Sequence, residues 1–111
     1  MTSQVKKIEF GDIVLLEFPF TDGQRSKKRP ALMLLDTQDG DMIVCRITSK
    51  LHHTAFDFVI QEWQAAGLKL PSVVRVHKIA TLERGMVLTK FGTINEQDKK
   101  SIQQIFRGLL S

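Results

Sequence analysis

The sequence predicts a mainly β domain that ends in one helix. Three features carry that prediction: five or six short runs rich in β-branched and aromatic residues, turn signals between them, and helical spacing of apolar residues only after Asn95. Strands this short and numerous in 111 residues point to a compact barrel, and the 42% hydrophobic share suits one modest core, so residues 1–111 are read as a single domain.

From Gly11, DIVLLEF reads as the first strand and PFTDGQRSKK as a long polar loop that ends it. A loop of that length is often functional. Pro30 opens the apolar run ALMLLD, and a strand's first residue is where its missing N–H matters least. The Asp39-Gly40 pair before MIVCRIT is a hairpin signal, so the runs 30–36 and 42–48 are expected to pair antiparallel. LHHTAFDFVI alternates, with apolar Phe56, Phe58 and Ile60, as a half-buried fourth strand does. QEWQAAG reads as a helical turn closed by Gly67, LKLPS as a connector, and SVVRVHKIATL and MVLTKFGTI as the remaining strands. Asn95 is placed to cap a helix with Asp98 three residues on. Its apolar face takes Ile102, Ile105, Phe106, Leu109 and Leu110, and its solvent face Lys99, Lys100, Gln103, Gln104 and Arg107.

No apolar run approaches the ~20 residues that span a bilayer, and MTSQVKKIEF lacks the apolar stretch of a signal peptide, so a cytoplasmic protein with no membrane association is expected. The single cysteine, Cys45, lies inside the apolar run MIVCRI and is expected to be a buried thiol. Sixteen Lys and Arg against twelve Asp and Glu give a net charge of +4, which suits nucleic acid or an acidic protein partner. Arg25, Lys27, Lys28 and Arg29 fall close together with no acid among them. Such a cluster is either an anion-attracting loop or a solvated turn.

Gly-rich phosphate loops, Cys-x-x-Cys pairs and His-Glu-x-x-His motifs do not occur, so no metal site and no cofactor is expected. Adjacent His52 and His53 would point to opposite faces of a strand and cannot both ligate one ion from the same side. Each of His52, His53 and His77 is open to an acid-base role or a structural one. A hairpin about Asp39-Gly40 brings the far ends of its strands together, with positions 30 and 48 facing each other and Arg29 beside Thr48. A guanidinium and a hydroxyl at one strand end suit a phosphate, since the forked donors of arginine match its oxygens; an arginine that ties down the loop is the alternative.

These residues carry a family resemblance. GDIVLLEFPFTDGQRSKKRPALMLL, then RITS at 46–49, SVVRVHKIATLERG at 72–85 and the helix after FGTINEQD resemble, in order and over essentially the whole chain, the MazF/PemK-like toxins of type II toxin-antitoxin systems. The resemblance implies an SH3-like, partly open barrel of the CcdB/MazF/PemK type, a homodimer, and a groove for single-stranded RNA. It also implies a cognate antitoxin whose acidic, disordered tail occupies that groove. The implied activity is metal-independent endoribonuclease cleavage, in which the ribose 2′-OH attacks the adjacent phosphate to give a 2′,3′-cyclic phosphate. The family's catalytic arginine falls on Arg29 and its hydroxyl on Thr48, with Arg25, Lys27, Lys28, Ser49 and Lys50 as RNA-binding neighbours.

The chain departs from the pattern at three places. Its loop is one residue shorter and reads Gln24-Arg25 where similar toxins have a glutamate, Arg46 stands where many have proline, and His77 where many have an acid. The alternative reading is a binding module on the same barrel, either a silent nucleic-acid binder or a CcdB-like inhibitor of DNA gyrase that would act through the terminal helix. Phe18, Phe20 and Trp63 are open to base stacking or to burial in the core.

Overall fold

The computed structural model describes residues 7–19 and 26–111. They form six strands and one helix: β1 (Asp12–Pro19), β2 (Ser26–Asp36), β3 (Asp41–Thr48), β4 (Asp57–Ile60), β5 (Ser72–Glu83), β6 (Val87–Thr93) and α1 (Glu96–Leu109). All pairings are antiparallel, in the spatial order β4-β5-β3-β2-β1-β6. The expected mainly β chain with a terminal helix is therefore observed, as a bent, open sheet. Both faces of the central strands are buried. Ile13, Leu32, Cys45, Val74 and Val76 pack with Ile102 of α1 on one side, while Val14, Leu16, Ala31, Met33, Met42 and Val44 form a second cluster on the other. Two-sided burial explains why the runs in β1, β2 and β3 are nearly continuous in apolar residues rather than alternating. Each such side chain taken wholly out of water contributes roughly 1.5–3 kcal/mol.

Bulges bend the sheet at four places, one of them at Leu88, since Leu15 pairs with Thr89 and Leu16 with Val87. In the β2–β3 ladder the register shifts between Met33 and Leu35, so Leu34 is the extra residue. In the β3–β5 ladder Cys45 pairs with Ile79 but Arg46 with Arg75, which leaves Val76, His77 and Lys78 as an excursion of β5. In the β1–β6 ladder Ile13 pairs with Gly92 and Val14 with Lys90, which leaves Phe91 as the extra residue. Bulges increase local twist and re-aim side chains.

Several boundaries differ from expectation. β2 begins at Ser26, so Lys27 and Lys28 belong to a strand paired with Phe18 and Glu17 rather than to the polar loop. The β2–β3 connection is a four-residue turn, with Gln38 at φ 64° and Gly40 at φ 95°, instead of a two-residue Asp-Gly hairpin. Thr37 Oγ1 and the side chains of Asp36 and Asp39 satisfy its backbone. β4 is confined to Asp57–Ile60, because Thr54 and Asp57 close a local turn in which both the N–H and the hydroxyl of Thr54 donate to Asp57 Oδ2. The 61–67 segment is the expected turn, closed by Gly67 at φ 94°, with the Leu68 N–H donating to the Trp63 carbonyl.

The Gly11-Asp12 start of β1 has a physical reason. Gly11 has φ 96° and exchanges hydrogen bonds with the Met33 carbonyl and the Ile94 N–H. Buried Asp12 then accepts from the Glu9 N–H at 2.7 Å and from Thr93 Oγ1 at 2.7 Å, with Lys90 Nζ at 3.3 Å, which pins β6 to β1. In α1, Asn95 caps the Asp98 N–H at 2.8 Å as its spacing predicts. Ile102 is fully buried, and Ile105, Phe106 and Leu109 pack on the core, but Leu110 is 76% exposed because it follows the last helical turn. Lys99, expected in solvent, lies over Gly11 and pairs with Glu96 at 3.0 Å.

Asp98 is buried at 8% exposure. Burial, and secondarily the Glu62 carboxylate, push its carboxyl above the ordinary value. A folded value above the unfolded one means that the fold binds this proton more tightly, so stability falls as pH rises through that window. Asp98→Asn is therefore expected to raise the melting temperature at neutral pH, with the gain shrinking as the pH is lowered toward 4. Thermal melts of both proteins across that range check it.

Candidate active site

The β2–β3 ladder builds the site. Its outermost matched pair is Ala31 with Arg46, and two further residues along each strand bring Arg29 across from Thr48. Sequence spacing places Pro30 opposite Thr48; the Leu34 bulge moves the register by one, so its continuation sets Arg29 level with Thr48, and both line one concavity. Both positions are held from their other side. Arg29 pairs with Leu16 of β1, and Thr48 with Val73 of β5, so neither sits on a free edge. Thr48 Oγ1 accepts the Lys50 N–H at 3.1 Å, which leaves its proton free to donate outward. No hydrogen bond or ion pair to another described residue ties the half-buried Arg29 guanidinium.

A concavity of about 280 Å³ opens at this strand end. Lys28, Arg29 and Lys69 give it positive charge, and Thr48, Ser49 and Ser72 give it hydroxyls. Leu15, Leu68, Leu70 and Phe91 supply its apolar wall. A second concavity of about 400 Å³ shares Arg29 and Pro30, and there Arg46 and Lys78 stand over Ala31, Val44 and Ala80. Arg29 thus lies between two hollows with cationic rims and apolar floors, a combination that suits a polyanion carrying flat, weakly polar bases.

Of the other residues singled out in the sequence, Lys28 and Ser49 line the first concavity. Lys50 contributes its backbone N–H to Thr48, and Lys27 is exposed on β2 beside the site. Arg25 and Phe20 lie outside the described residues. Trp63 packs against the core, its structural alternative. None of the three histidines lines either concavity. Burial, and then the field of Arg75, push His52 below its ordinary value, with Lys50 and Arg46 adding to the effect and Asp57 opposing it. His77 lies in the β5 excursion, its ring 5.3 Å from that of Phe56 and its buried Nδ1 without a hydrogen-bond partner among the described residues. Cys45 is buried as expected, and burial pushes its thiol up to about 12, so it carries no nucleophilic thiolate near neutrality.

Behind the site, Asp57 and Arg75 form a buried ion pair, Nε to Oδ1 at 2.8 Å, with side chains 1% and 14% exposed. Burial opposes the charge on Asp57, but hydrogen bonds from Arg75 and Thr54 outweigh it and hold the carboxyl well below its usual range. Arg75 is the ladder partner of Arg46, so this pair fixes β4 and β5 against the strand that carries Thr48.

Lys69, Leu70, Ser72 and Phe91 were not legible as site residues, since they come from a connector and from β5 and β6, far from Arg29 in sequence. The available signal was the pair Gly67 and Gly92. A Cβ on Gly67 would collide with the Phe91 carbonyl, and one on Gly92 with the Ala66 carbonyl, so these glycines allow the 61–67 turn to lie directly on β6.

No curated protein matches the chain. Among solved structures it is similar to a MazE-MazF complex from Deinococcus radiodurans, at 22% identity and TM-score 0.76 over 92% of this chain and 94% of that one. It is also similar to an endoribonuclease in complex with its cognate antitoxin from a mycobacterial species, at 14% identity and TM-score 0.73 over 95% of each chain. A third is the Mycobacterium tuberculosis toxin MazF-mt6, at 17% identity and TM-score 0.70 over 87% of this chain and 95% of that one. These likenesses establish the fold. Residues 9–110, nearly the entire chain, match the profile of a single family, and the chain belongs to the PemK-like, MazF-like toxins of type II toxin-antitoxin systems.

Proposed function

We propose that this toxin is an endoribonuclease that cleaves single-stranded RNA without a metal. In the reaction the ribose 2′-oxygen forms a bond to the adjacent phosphorus, the bond from phosphorus to the 5′-oxygen breaks, and a 2′,3′-cyclic phosphate and a 5′-hydroxyl remain. The observation that carries the reading is Arg29 opposite Thr48 at the mouth of a basic concavity, in a chain of this toxin family. Arg29 presents a fixed charge to the non-bridging oxygens, where negative charge grows in the phosphorane-like transition state. The Thr48 hydroxyl, its oxygen already engaged by the Lys50 N–H, donates to the same phosphate and helps keep it in line. Lys28 and Ser49, with Lys27 and Lys50 around them, bind the flanking backbone, and the sequence assigns Arg25 the same role. Arginine stays protonated, so its part is electrostatic and it does not accept the 2′ proton.

The solved complexes with antitoxins support a cognate antitoxin for this chain, and the cationic rim suits an acidic segment of that partner. A homodimer is part of the same reading.

The test is incubation of the purified chain with a defined single-stranded RNA library in EDTA, followed by end-group analysis. The expected products carry cyclic-phosphate ends at a recurring sequence, and Thr48→Val slows their formation by about a hundredfold, the scale of one lost transition-state donor. Intact RNA with a folded wild type would turn attention to the gyrase-inhibitor reading.

A further inference from the structure

We propose that Phe91 is the platform on which one base of the bound RNA stacks beside the scissile phosphate, an assignment that rests on the ribonuclease reading above. Phe91 is 36% exposed and packs in neither apolar cluster. A ring partly open to water that belongs to neither cluster is available to a ligand, and this one lines the same concavity as Arg29 and Thr48. Its backbone is the extra residue of the β1–β6 bulge, the kind of irregularity that re-aims a side chain. Gly67 and Gly92 fix it further by letting the 61–67 turn rest on its carbonyl. The segment that follows the turn supplies Leu68, Lys69 and Leu70 to the same concavity.

Charge and apolar surface are sorted within this hollow. Lys28, Arg29 and Lys69 suit phosphates, while Phe91, Leu70 at 58% exposure and Leu15 suit a flat ring. An acidic peptide would satisfy the cations, but the juxtaposition of an exposed aromatic face and a phosphate-sized cluster of donors matches a nucleotide, whose base and phosphate have that same separation of character. Every base has a π-face, so the platform sets affinity and the placement of the chain more than the identity of the base.

The experiment uses a short single-stranded RNA spanning the cut sequence, with a 2′-deoxy sugar at the reactive ribose and 2-aminopurine walked along it. Wild type is expected to quench the probe at one position adjacent to the scissile phosphate. Phe91→Leu should lose that quench and raise KM for the cleavable RNA by about tenfold with little change in kcat, whereas Phe91→Trp keeps both. Equal quenching and equal KM in wild type and Phe91→Leu would overturn the platform while leaving the ribonuclease reading intact. Overturning it equally would be a Phe91→Leu protein whose self-association changes but whose KM does not, since the ring would then be covered by a second copy. A folded wild type that cuts no RNA overturns the ribonuclease reading and this inference together.

Discussion

Arg29→Ala is expected to lower the single-turnover rate of RNA cleavage by about a thousandfold and to leave the fold as stable as before. Loss of one preorganised donor to developing negative charge costs about 10²–10³ in rate, and a charged, forked donor lies at the upper end of that range. The fold is spared because the half-buried guanidinium makes no hydrogen bond or ion pair to another described residue, while the backbone of residue 29 stays in the ladder with Leu16. Arg29→Lys restores only part of the rate, since an ammonium keeps the charge but not the fork. Binding of a 2′-deoxy analogue by anisotropy should weaken far less than cleavage, because Lys28 and Lys69 still give the concavity positive charge. A rate for Arg29→Ala close to that of wild type would remove this arginine from the chemistry.

Asp57→Ala is expected to be the most destabilising single change, by about 3–5 kcal/mol, because it strands the Arg75 charge in a buried site. It also removes both acceptor contacts that close the Thr54 turn at the start of β4. For a chain of this size the melting temperature should fall by more than about 10 °C. The pH dependence has a definite sign. Because the folded carboxyl is held below its ordinary value of 3.8, its contribution is complete above that value and is lost as the pH falls toward the lower, folded one. Denaturant melts of wild type and Asp57→Asn between neutral and acid pH should converge as acid is added. Curves that stay parallel would mean that the ion pair is not what holds β4.

Much of this arrangement was readable in the residues. β1, β3 and β6 follow from runs rich in β-branched and apolar residues, and the Asn95 cap from its spacing to Asp98. The neighbourhood of Arg29 and Thr48 followed from hairpin geometry, because antiparallel strands joined by a short turn must bring their far ends together. The start of β2 was hidden because Ser26, Lys27 and Lys28 are polar; pairing with β1, with Lys28 across from Glu17, makes them strand. The end of strand regularity at β4 was hidden for the opposite reason, since Phe56 continues an alternation that the Thr54–Asp57 turn interrupts. The apolar wall of the site was beyond sequence spacing. Phe91 and Leu70 reach it only through a bulge and two glycine contacts that no local pattern encodes.

The extra residue at Leu34 makes β2 a spatial reading frame. Successive side chains of a strand alternate between faces, so drawing Leu34 into the ladder opposite Val44 would shift every pair between it and Ser26 by one and turn those residues over. Pro30 would then stand across from Thr48, and the guanidinium would emerge on the other side of the sheet. One unpaired residue, quite apart from the strand's composition, thus decides which face of the sheet carries the Arg29 guanidinium.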